Sequence, residues 1–215
     1  LEALLATGWD ESVFIVDDNF IGNKVKVKAF LRELVSWRRN RKVSLPFTTE
    51  ASLNLADDAE LLDLMVQAGF KKVFVGIESP SHESLAECAK VQNTSRDMAA
   101  SVRLIHKAGI EVMGGFIVGF DSDTPELFED QVAFIQKTGV VVAMVGILGA
   151  LPKTDFGERL EKSGRLTSDQ FDGSHLSLGD GINFVPVMGK EALVNGYSQR
   201  PYGKCCCIPG CSNVH

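Results

Sequence analysis

Short runs of apolar residues alternate along the chain with longer segments whose apolar positions recur at helical spacing. The apolar runs are rich in β-branched side chains and have no polar face, which is typical of strands buried on both sides of a parallel sheet. We predict strands near 12–18, 43–49, 72–78, 110–118 and 140–148. Each run is followed by a helical pattern, so the chain is predicted to be an α/β protein with helices outside a parallel sheet.

The helical patterns have recognisable ends. We predict helices at about 23–41, 57–69, 81–89, 94–109, 125–139 and 154–162, after the end of an earlier helix. Thr94 and Asp97 have the spacing of a capping box. Asp123 or Thr124 is expected to cap the helix that starts at Pro125, a favoured position in a first turn. We expect that one further βα unit precedes these five. Because the pattern weakens after 164, we expect residues 165–215 to be an irregular C-terminal appendage.

Composition narrows the class without identifying a function. The chain has 215 residues, 45% of them hydrophobic and 23% charged, with a formal net charge of −6. That fits a well-packed domain with an appendage, and it gives no indication of nucleic-acid binding. No apolar run reaches the roughly 18 residues of a membrane span. The first residues resemble the second half of a helix rather than a signal peptide, so we interpret the chain as a fragment.

The cysteines are concentrated near the C-terminus. Cys88 is the one cysteine in the patterned body, and the other four lie within 205–211. This distribution excludes a disulfide framework and favours a reducing cytoplasm. Cys207 and Cys211 have the first spacing of a CxxxCxxC motif, but the next position is Val214. We therefore predict that the tail does not form a metal site.

Polar side chains recur where the predicted strands end, which is the layout of a barrel-type active site. The five carboxyl ends carry Asp17, Asp18 and Asn19; Thr49 and Glu50; Glu78 and Ser79; Gly119 and Asp121; and Leu151 and Pro152.

These polar positions are not equivalent. Asp57, Ser81 and Asp123 are expected to be ordinary helix caps, since such residues are common there in any α/β protein. Glu50 and Glu78 are better candidates for function, because glutamate is not a usual cap. A charged group at the end of a buried strand is costly unless something binds it.

Two further features leave alternatives open. The glycine-rich stretch 114–120 could offer a flat backbone edge to an aromatic base, or it could serve tight packing between strand and helix. Arg96 is expected in a first helical turn, where the helix dipole disfavours a cation. Either a carboxylate ligand or a surface salt bridge would explain it.

Several short motifs occur in an order that resembles a known family. They are Asp17-Asp18-Asn19-Phe20, Gly76-Ile77-Glu78-Ser79-Pro80, Gly114-Gly115-Phe116-Ile117-Val118-Gly119-Phe120-Asp121 and Ala150-Leu151-Pro152-x-Thr154. Together they resemble the radical S-adenosylmethionine (SAM) enzymes, specifically the branch with an N-terminal cobalamin-binding domain, close to members of hopanoid biosynthesis. The resemblance extends over about residues 1–160.

The resemblance implies a TIM-like partial (β/α) barrel of six βα units, of which residues 1–164 would hold five. The missing unit would carry CxxxCxxC, whose cysteines bind a [4Fe–4S] cluster, so the cluster ligands are expected upstream of Leu1. The family cleaves SAM reductively to methionine and a 5′-deoxyadenosyl radical, which modifies an unreactive carbon of a small-molecule or lipid-like substrate. Cobalamin would be bound by an absent N-terminal domain. Alone, the chain is expected to be inactive.

The same resemblance implies roles for the candidate residues. Asp17 and Asp18 would lie near the methionine ammonium of SAM. The ribose, the ammonium or the carboxylate would be contacted by Glu78, Ser79 and Arg96. Gly115 to Gly119 would line the adenine. The family has Pro-Gly-Thr where this chain has Pro152-Lys153-Thr154, a departure that puts the shape of that turn in question.

Two other functions remain open on the residues alone. In one, Asp17, Glu50, Glu78 and Asp121 bind Mg²⁺ in a barrel lyase or aldolase. In the other, the barrel binds a ligand or partner without catalysis.

Overall fold

A computed structural model describes residues 1–88, 90–167 and 182–199. The helices within these ranges are α1 (Glu2–Ala6), α2 (Lys24–Arg41), α3 (Ala59–Ala68), α4 (His82–Glu87), α5 (Val91–Thr94), α6 (Met98–Ala108), α7 (Leu127–Thr138), α8 (Asp155–Lys162) and α9 (Lys190–Gln199), with a 3₁₀ helix at Leu53–Asp57. The strands are β1 (Val13–Ile15), β2 (Phe47–Glu50), β3 (Phe70–Glu78), β4 (Glu111–Val118) and β5 (Val142–Ile147).

The strands form one sheet in the order β1-β2-β3-β4-β5. β1 pairs with β2 and β2 with β3 in parallel, as predicted. The predicted start of the second strand is wrong, because β2 begins at Phe47 rather than near 43. Lys42 ends α2 in the left-handed conformation, and the Val43 amide still donates to the Arg38 carbonyl. Pro46 follows, and it has no amide hydrogen for a ladder.

Side-chain caps explain most of the helix starts. Three predicted starts are wrong. Asn23 caps α2, as predicted, by accepting from the amide of Lys26. α3 starts after Asp58 rather than Asp57, because the 3₁₀ helix takes up Asp57. α6 is capped by Asp97, whose side chain accepts from the amide of Ala100, so Thr94 is not its cap. α7 begins at Leu127 and not at 125.

The chain divides into two compact units, and the division passes through β3, β4 and β5. Unit 1 consists of Leu1–Gly76, Arg96–Gly114 and Thr138–Val142. Its core packs α2, α3 and α6 on the sheet through buried apolar side chains, among them Leu31, Phe47, Leu61, Met65, Val73 and Ile105. Unit 2 consists of Ile77–Ser95, Gly115–Lys137 and the described residues from Ala143 onward.

Unit 2 has a core of its own, to which the C-terminal segment contributes. Ile182, Phe184 and Leu193 are buried in one cluster with Val118, Phe128 and Leu160. The Asn183 side chain is hydrogen-bonded to both the amide and the carbonyl of Ala150. The segment after 164 thus supplies core residues and a helix, α9, that the sequence pattern did not predict.

The four clustered cysteines at 205–211 lie outside the described residues. Among the helices that are described, none is both long and apolar enough to cross a bilayer.

Candidate functional site

In unit 1, the loop after β1 is fastened to the end of β2. The Phe20 amide donates to the Glu50 carbonyl (3.0 Å), and the Asn19 side chain accepts from Ser52. Asp17 accepts from the amide of Asn19 (2.9 Å), which fixes the first turn of the loop. Asp17 and Asp18 are exposed and Glu50 is half-buried. The structure therefore brings these three predicted carboxylates to neighbouring strand ends.

Strand register determines which face Glu50 occupies. Glu50 is paired with Phe74, while Thr49 is paired with Val73, and both Thr49 and Val73 are fully buried. Because side chains alternate between faces, Glu50 and Phe74 share the less buried face of the sheet. Phe14 also lies there, at 47% exposure. This face of unit 1 offers an aromatic surface beside carboxylates.

Arg96, also in unit 1, has a protein partner. It precedes the α6 cap Asp97 rather than lying in the first turn. Its guanidinium donates to both carboxylate oxygens of Asp57 (2.7 and 2.5 Å) and to the Ser101 hydroxyl (3.2 Å). The hydrogen bond from Arg96 lowers the pKa of Asp57. A carboxylate ligand and a salt bridge were the two alternatives for Arg96, and the structure shows a salt bridge to Asp57.

In unit 2, β3 ends in a tight turn at Glu78. Glu78 has φ +69°, and the Ser79 amide donates to the Ile77 carbonyl (3.0 Å). A hydrogen bond over two residues with a positive φ between them is the rare, strained form of the γ-turn. Glutamate adopts this φ only at an energetic cost, and strain of this kind is found mostly at functional sites.

The Glu78 carboxylate lies beside a cation that sequence reasoning missed. Lys90 is 3.1 Å from Glu78, whose side chain is 15% exposed. Ser79 is fully buried, and its hydroxyl accepts from the amide of Ser81, which in turn caps α4 as predicted. Lys90 is twelve residues beyond Glu78 and directly precedes the short helix α5, so no periodic pattern in the sequence connects the two.

The glycine-rich strand β4 continues into a loop built around Asp123. Gly115 is half-buried, and Gly119 has φ +108°. Asp123, 5% exposed, accepts from the amides of Gly119 (2.7 Å) and Phe120 (3.0 Å). It also accepts from the Ser84 hydroxyl of α4 (2.6 Å). Asp123 was predicted to be a helix cap; instead it turns back onto the loop, because α7 starts four residues later.

Two carboxylates in this loop have opposite electrostatic surroundings. Burial, more than any neighbouring charge, raises the pKa of Asp123. Asp121 is instead bound by Arg165 through both oxygens (2.8 and 2.7 Å), and this pairing lowers its pKa. Arg159 pairs with Glu87 and lies 3.6 Å from Asp121. An Asp121 occupied in this way is a poor ligand for Mg²⁺.

Among the residues that the structure describes, no group of three or more histidine, cysteine, aspartate or glutamate side chains could hold a metal ion. His106 has a structural role: its ring accepts from the amide of Val112 (3.1 Å), and burial lowers its pKa.

Comparison with known proteins identifies relatives. The model of the family described as the Radical SAM superfamily matches residues 1–135. The chain is 43% identical over 197 residues to an uncharacterized methyltransferase of Synechocystis sp., and 36% identical over 197 residues to a hopanoid C-2 methylase of Rhodopseudomonas palustris. Each match covers 92% of this chain but 36% and 37% of the relative, so the chain spans about a third of their length.

Solved structures agree in fold. The radical SAM methyltransferase TsrM from Kitasatospora setae, with cobalamin and a [4Fe–4S] cluster bound, matches with a TM-score of 0.65 at 23% identity over 95% of this chain and 41% of its own. The cobalamin-dependent radical SAM enzyme OxsB matches with a TM-score of 0.53 at 19% identity, over 75% of this chain and 24% of its own. The predicted fold class, an α/β fold of the partial (β/α) barrel kind, is confirmed.

Proposed function

Because the chain belongs to the radical SAM superfamily, we propose that the protein containing it cleaves SAM reductively and transfers a methyl group to an unreactive carbon. The role of this chain is to bind and orient SAM. The observation that carries the proposal is the turn at Glu78, where a carboxylate is held at φ +69° beside Lys90. A strained backbone that presents a charge at a strand end fits a ligand-binding role.

The residues of unit 2 suit the ribose, the base and the carboxylate of SAM. The Glu78 carboxylate can accept hydrogen bonds from ribose hydroxyls, and Lys90 can donate to the carboxylate of SAM. Gly115 is half-buried and has no side chain, which leaves room for a flat base beside the backbone of β4. We assign the cation role to Lys90 rather than Arg96, because Asp57 occupies both arms of the Arg96 guanidinium.

The residues of unit 1 suit an ammonium group. Asp17 and Asp18 are exposed carboxylates on a fastened loop, and Glu50 lies on the next strand end. Carboxylates form charge-assisted hydrogen bonds with ammonium groups, so we propose that these three can bind an ammonium group.

The [4Fe–4S] cluster needs ligands from elsewhere in the protein. Its chemistry is the one-electron reduction that cleaves SAM to methionine and a 5′-deoxyadenosyl radical. The sequence of this chain has no CxxxCxxC motif. We therefore derive no step at the cluster from these residues, and we propose that its cysteines lie in a segment outside this chain.

Cobalamin and the substrate are proposed from the relatives. The TsrM structure contains cobalamin, OxsB is cobalamin-dependent, and a hopanoid methylase and a bacteriochlorophyllide methyltransferase are among the matched proteins. We propose a small, lipid-like substrate, with cobalamin bound by another domain. A reducing cytoplasm remains the predicted location.

The test is an anaerobic assay of the intact protein that contains this chain. After reconstitution with iron and sulfide, the protein is given SAM and a one-electron reductant, and nucleoside products are separated by chromatography. We expect reductant-dependent release of 5′-deoxyadenosine or S-adenosylhomocysteine. A protein with a stoichiometric cluster that releases neither product would overturn the proposal.

Two controls make this assay specific. The Glu78→Gln variant keeps the size of the side chain and removes its charge, so we expect less product at the same cluster content. The 215-residue chain alone should acquire little cluster absorbance, since it lacks the three-cysteine motif.

A further inference from the structure

We infer that Asp123 is a positioning residue that ties together the two segments of unit 2 to which SAM binding is assigned. These segments are the Glu78 turn at 77–81 and the glycine edge at 115–119. The inference rests on the proposed function and adds to it a residue that does not itself touch the ligand.

The first connection runs from Asp123 to the glycine edge. One carboxylate oxygen accepts from the amides of Gly119 and Phe120, at 2.7 and 3.0 Å. The Asp123 amide donates back to the Phe120 carbonyl at 3.1 Å. The backbone at the end of β4 is thus held in a closed ring of hydrogen bonds, with Gly119 at φ +108°.

The second connection runs from Asp123 to the Glu78 turn. The other carboxylate oxygen accepts from the Ser84 hydroxyl at 2.6 Å. Ser84 lies in the first turn of α4, and its amide donates to the hydroxyl of the cap Ser81 at 3.3 Å. The Ser81 amide donates to Ser79 at 3.2 Å. Asp123 therefore reaches the turn through two serines.

The cost of this arrangement indicates that it has a purpose. Asp123 and Ser84 are almost fully buried, and no cation donates to the Asp123 carboxylate among the residues described. Burying a carboxylate without a cation is unfavourable, and its hydrogen bonds to neutral donors offset the cost in part. The carboxylate is nevertheless placed where its two oxygens accept hydrogen bonds from both segments, which points to a positioning role.

The experiment measures binding rather than turnover. Affinity of the intact protein for S-adenosylhomocysteine and for adenosine is measured by calorimetry, for the wild type and for Asp123→Ala, Asp123→Asn, Ser84→Ala and the Asp123→Ala/Ser84→Ala double variant. Asp123→Ala should weaken both ligands by about tenfold or more, the equivalent of at least one lost hydrogen bond. Asp123→Asn keeps an acceptor for the two amides, so it should stay within about threefold of the wild type.

The serine variants test the connection itself. Because Ser84 acts through Asp123, the double variant should be no weaker than Asp123→Ala alone. Asn183→Ala is the matched control: it removes two buried hydrogen bonds from the same unit, to Ala150, and should leave both affinities unchanged. If Asp123→Ala does not fold, the other two single variants still test the inference. Ser84→Ala should weaken binding measurably, and Asp123→Asn should not.

The outcomes separate this inference from the function on which it rests. A wild-type protein that binds neither ligand contradicts the proposed function, and the inference falls with it. A wild type that binds, together with an Asp123→Ala variant that binds equally well, overturns the inference alone. Equal weakening by Asp123→Ala and Asn183→Ala also overturns it, since the effect would then be one of general stability.

Discussion

The turn after β3 and the loop after β4 both reach a positive φ, but with different residues. Gly119 takes φ +108° without strain, whereas Glu78 takes φ +69° with a full side chain. The amides of the β4 loop are satisfied from within by Asp123, while the Glu78 carboxylate has one ion-pair contact, to Lys90. The loop after β4 is therefore held by its own hydrogen bonds, whereas the turn after β3 presents a carboxylate that a ligand can use.

The difference matters because backbone strain must be offset by something. A left-handed conformation costs a non-glycine residue about 1–2 kcal/mol. Glycine at position 78 would remove that cost, yet the chain has glutamate there. The carboxylate is therefore the reason to expect function at this turn. The predictions below separate its effect on ligand affinity from the backbone strain at position 78.

The largest effect is expected from Glu78→Gly in the intact protein. Loss of a charge-assisted hydrogen bond should reduce affinity for S-adenosylhomocysteine by about 10- to 150-fold, or roughly 1.5–3 kcal/mol. The free energy of unfolding should rise or stay level, because the strain is relieved. Calorimetry and urea denaturation measure the two quantities. Unchanged affinity would mean that Glu78 serves structure alone.

Gly119→Ala should have the opposite effect on the free energy of unfolding. A side chain at φ +108° is strained, and its Cβ would lie 3.2 Å from Leu193, so we expect a loss of about 1–2 kcal/mol in the free energy of unfolding. Gly146→Ala is the matched control, since a Cβ there meets no atom within 4 Å. Equal stability of the two variants in urea would refute the distinction between a rigid loop and a strained turn.

The two loop carboxylates should respond oppositely to pH. Arg165 lowers the pKa of Asp121 in the folded state, so its contribution to stability is present above the unfolded value and is lost as pH falls below about 4. Burial raises the pKa of Asp123, so its ionised form costs stability as pH rises from about 4 through the folded pKa. Below about pH 4, the stability advantage of wild type over Asp121→Asn should therefore grow as pH rises.

Above about pH 4, by contrast, the advantage of wild type over Asp123→Asn should shrink as pH rises. Urea unfolding of the three proteins at a series of pH values provides the measurement. Parallel curves for the two variants would show that Asp121 and Asp123 share one environment.

The smallest effect is expected at Lys153, which has φ +63°. Here the strain has no assigned function, in contrast to Glu78. Lys153→Gly should raise the free energy of unfolding by about 0.5 kcal/mol, since relief of strain is partly offset by the greater flexibility of glycine in the unfolded chain. Lys153→Ala keeps the Cβ and should bring no gain. A gain in both variants would point to charge rather than backbone strain.

Features set by neighbouring residues could be predicted from the sequence. The alternation of apolar runs and helical periods gave the five strands, and Asn23 and Thr154 follow local capping rules. Gly69 and Gly109 end their helices in the left-handed conformation, as helix-terminal glycines do.

Pairs distant in sequence could not be predicted in the same way. Arg96 and Asp57 are 39 residues apart, as are Ser84 and Asp123, and Arg159 and Glu87 are 72 apart. A charge pattern along the chain does not show which partner tertiary packing will bring to it. For this reason Asp123 was expected to cap a helix, and Lys90 was overlooked beside Glu78.

The most direct test of SAM binding at this strand end is a crystal structure of the intact protein with S-adenosylhomocysteine. We predict ribose hydroxyls within hydrogen-bonding distance of the Glu78 carboxylate and the adenine along the backbone at 115–119. A nucleoside bound elsewhere, with Glu78 still in contact with Lys90 alone, would contradict the assignment.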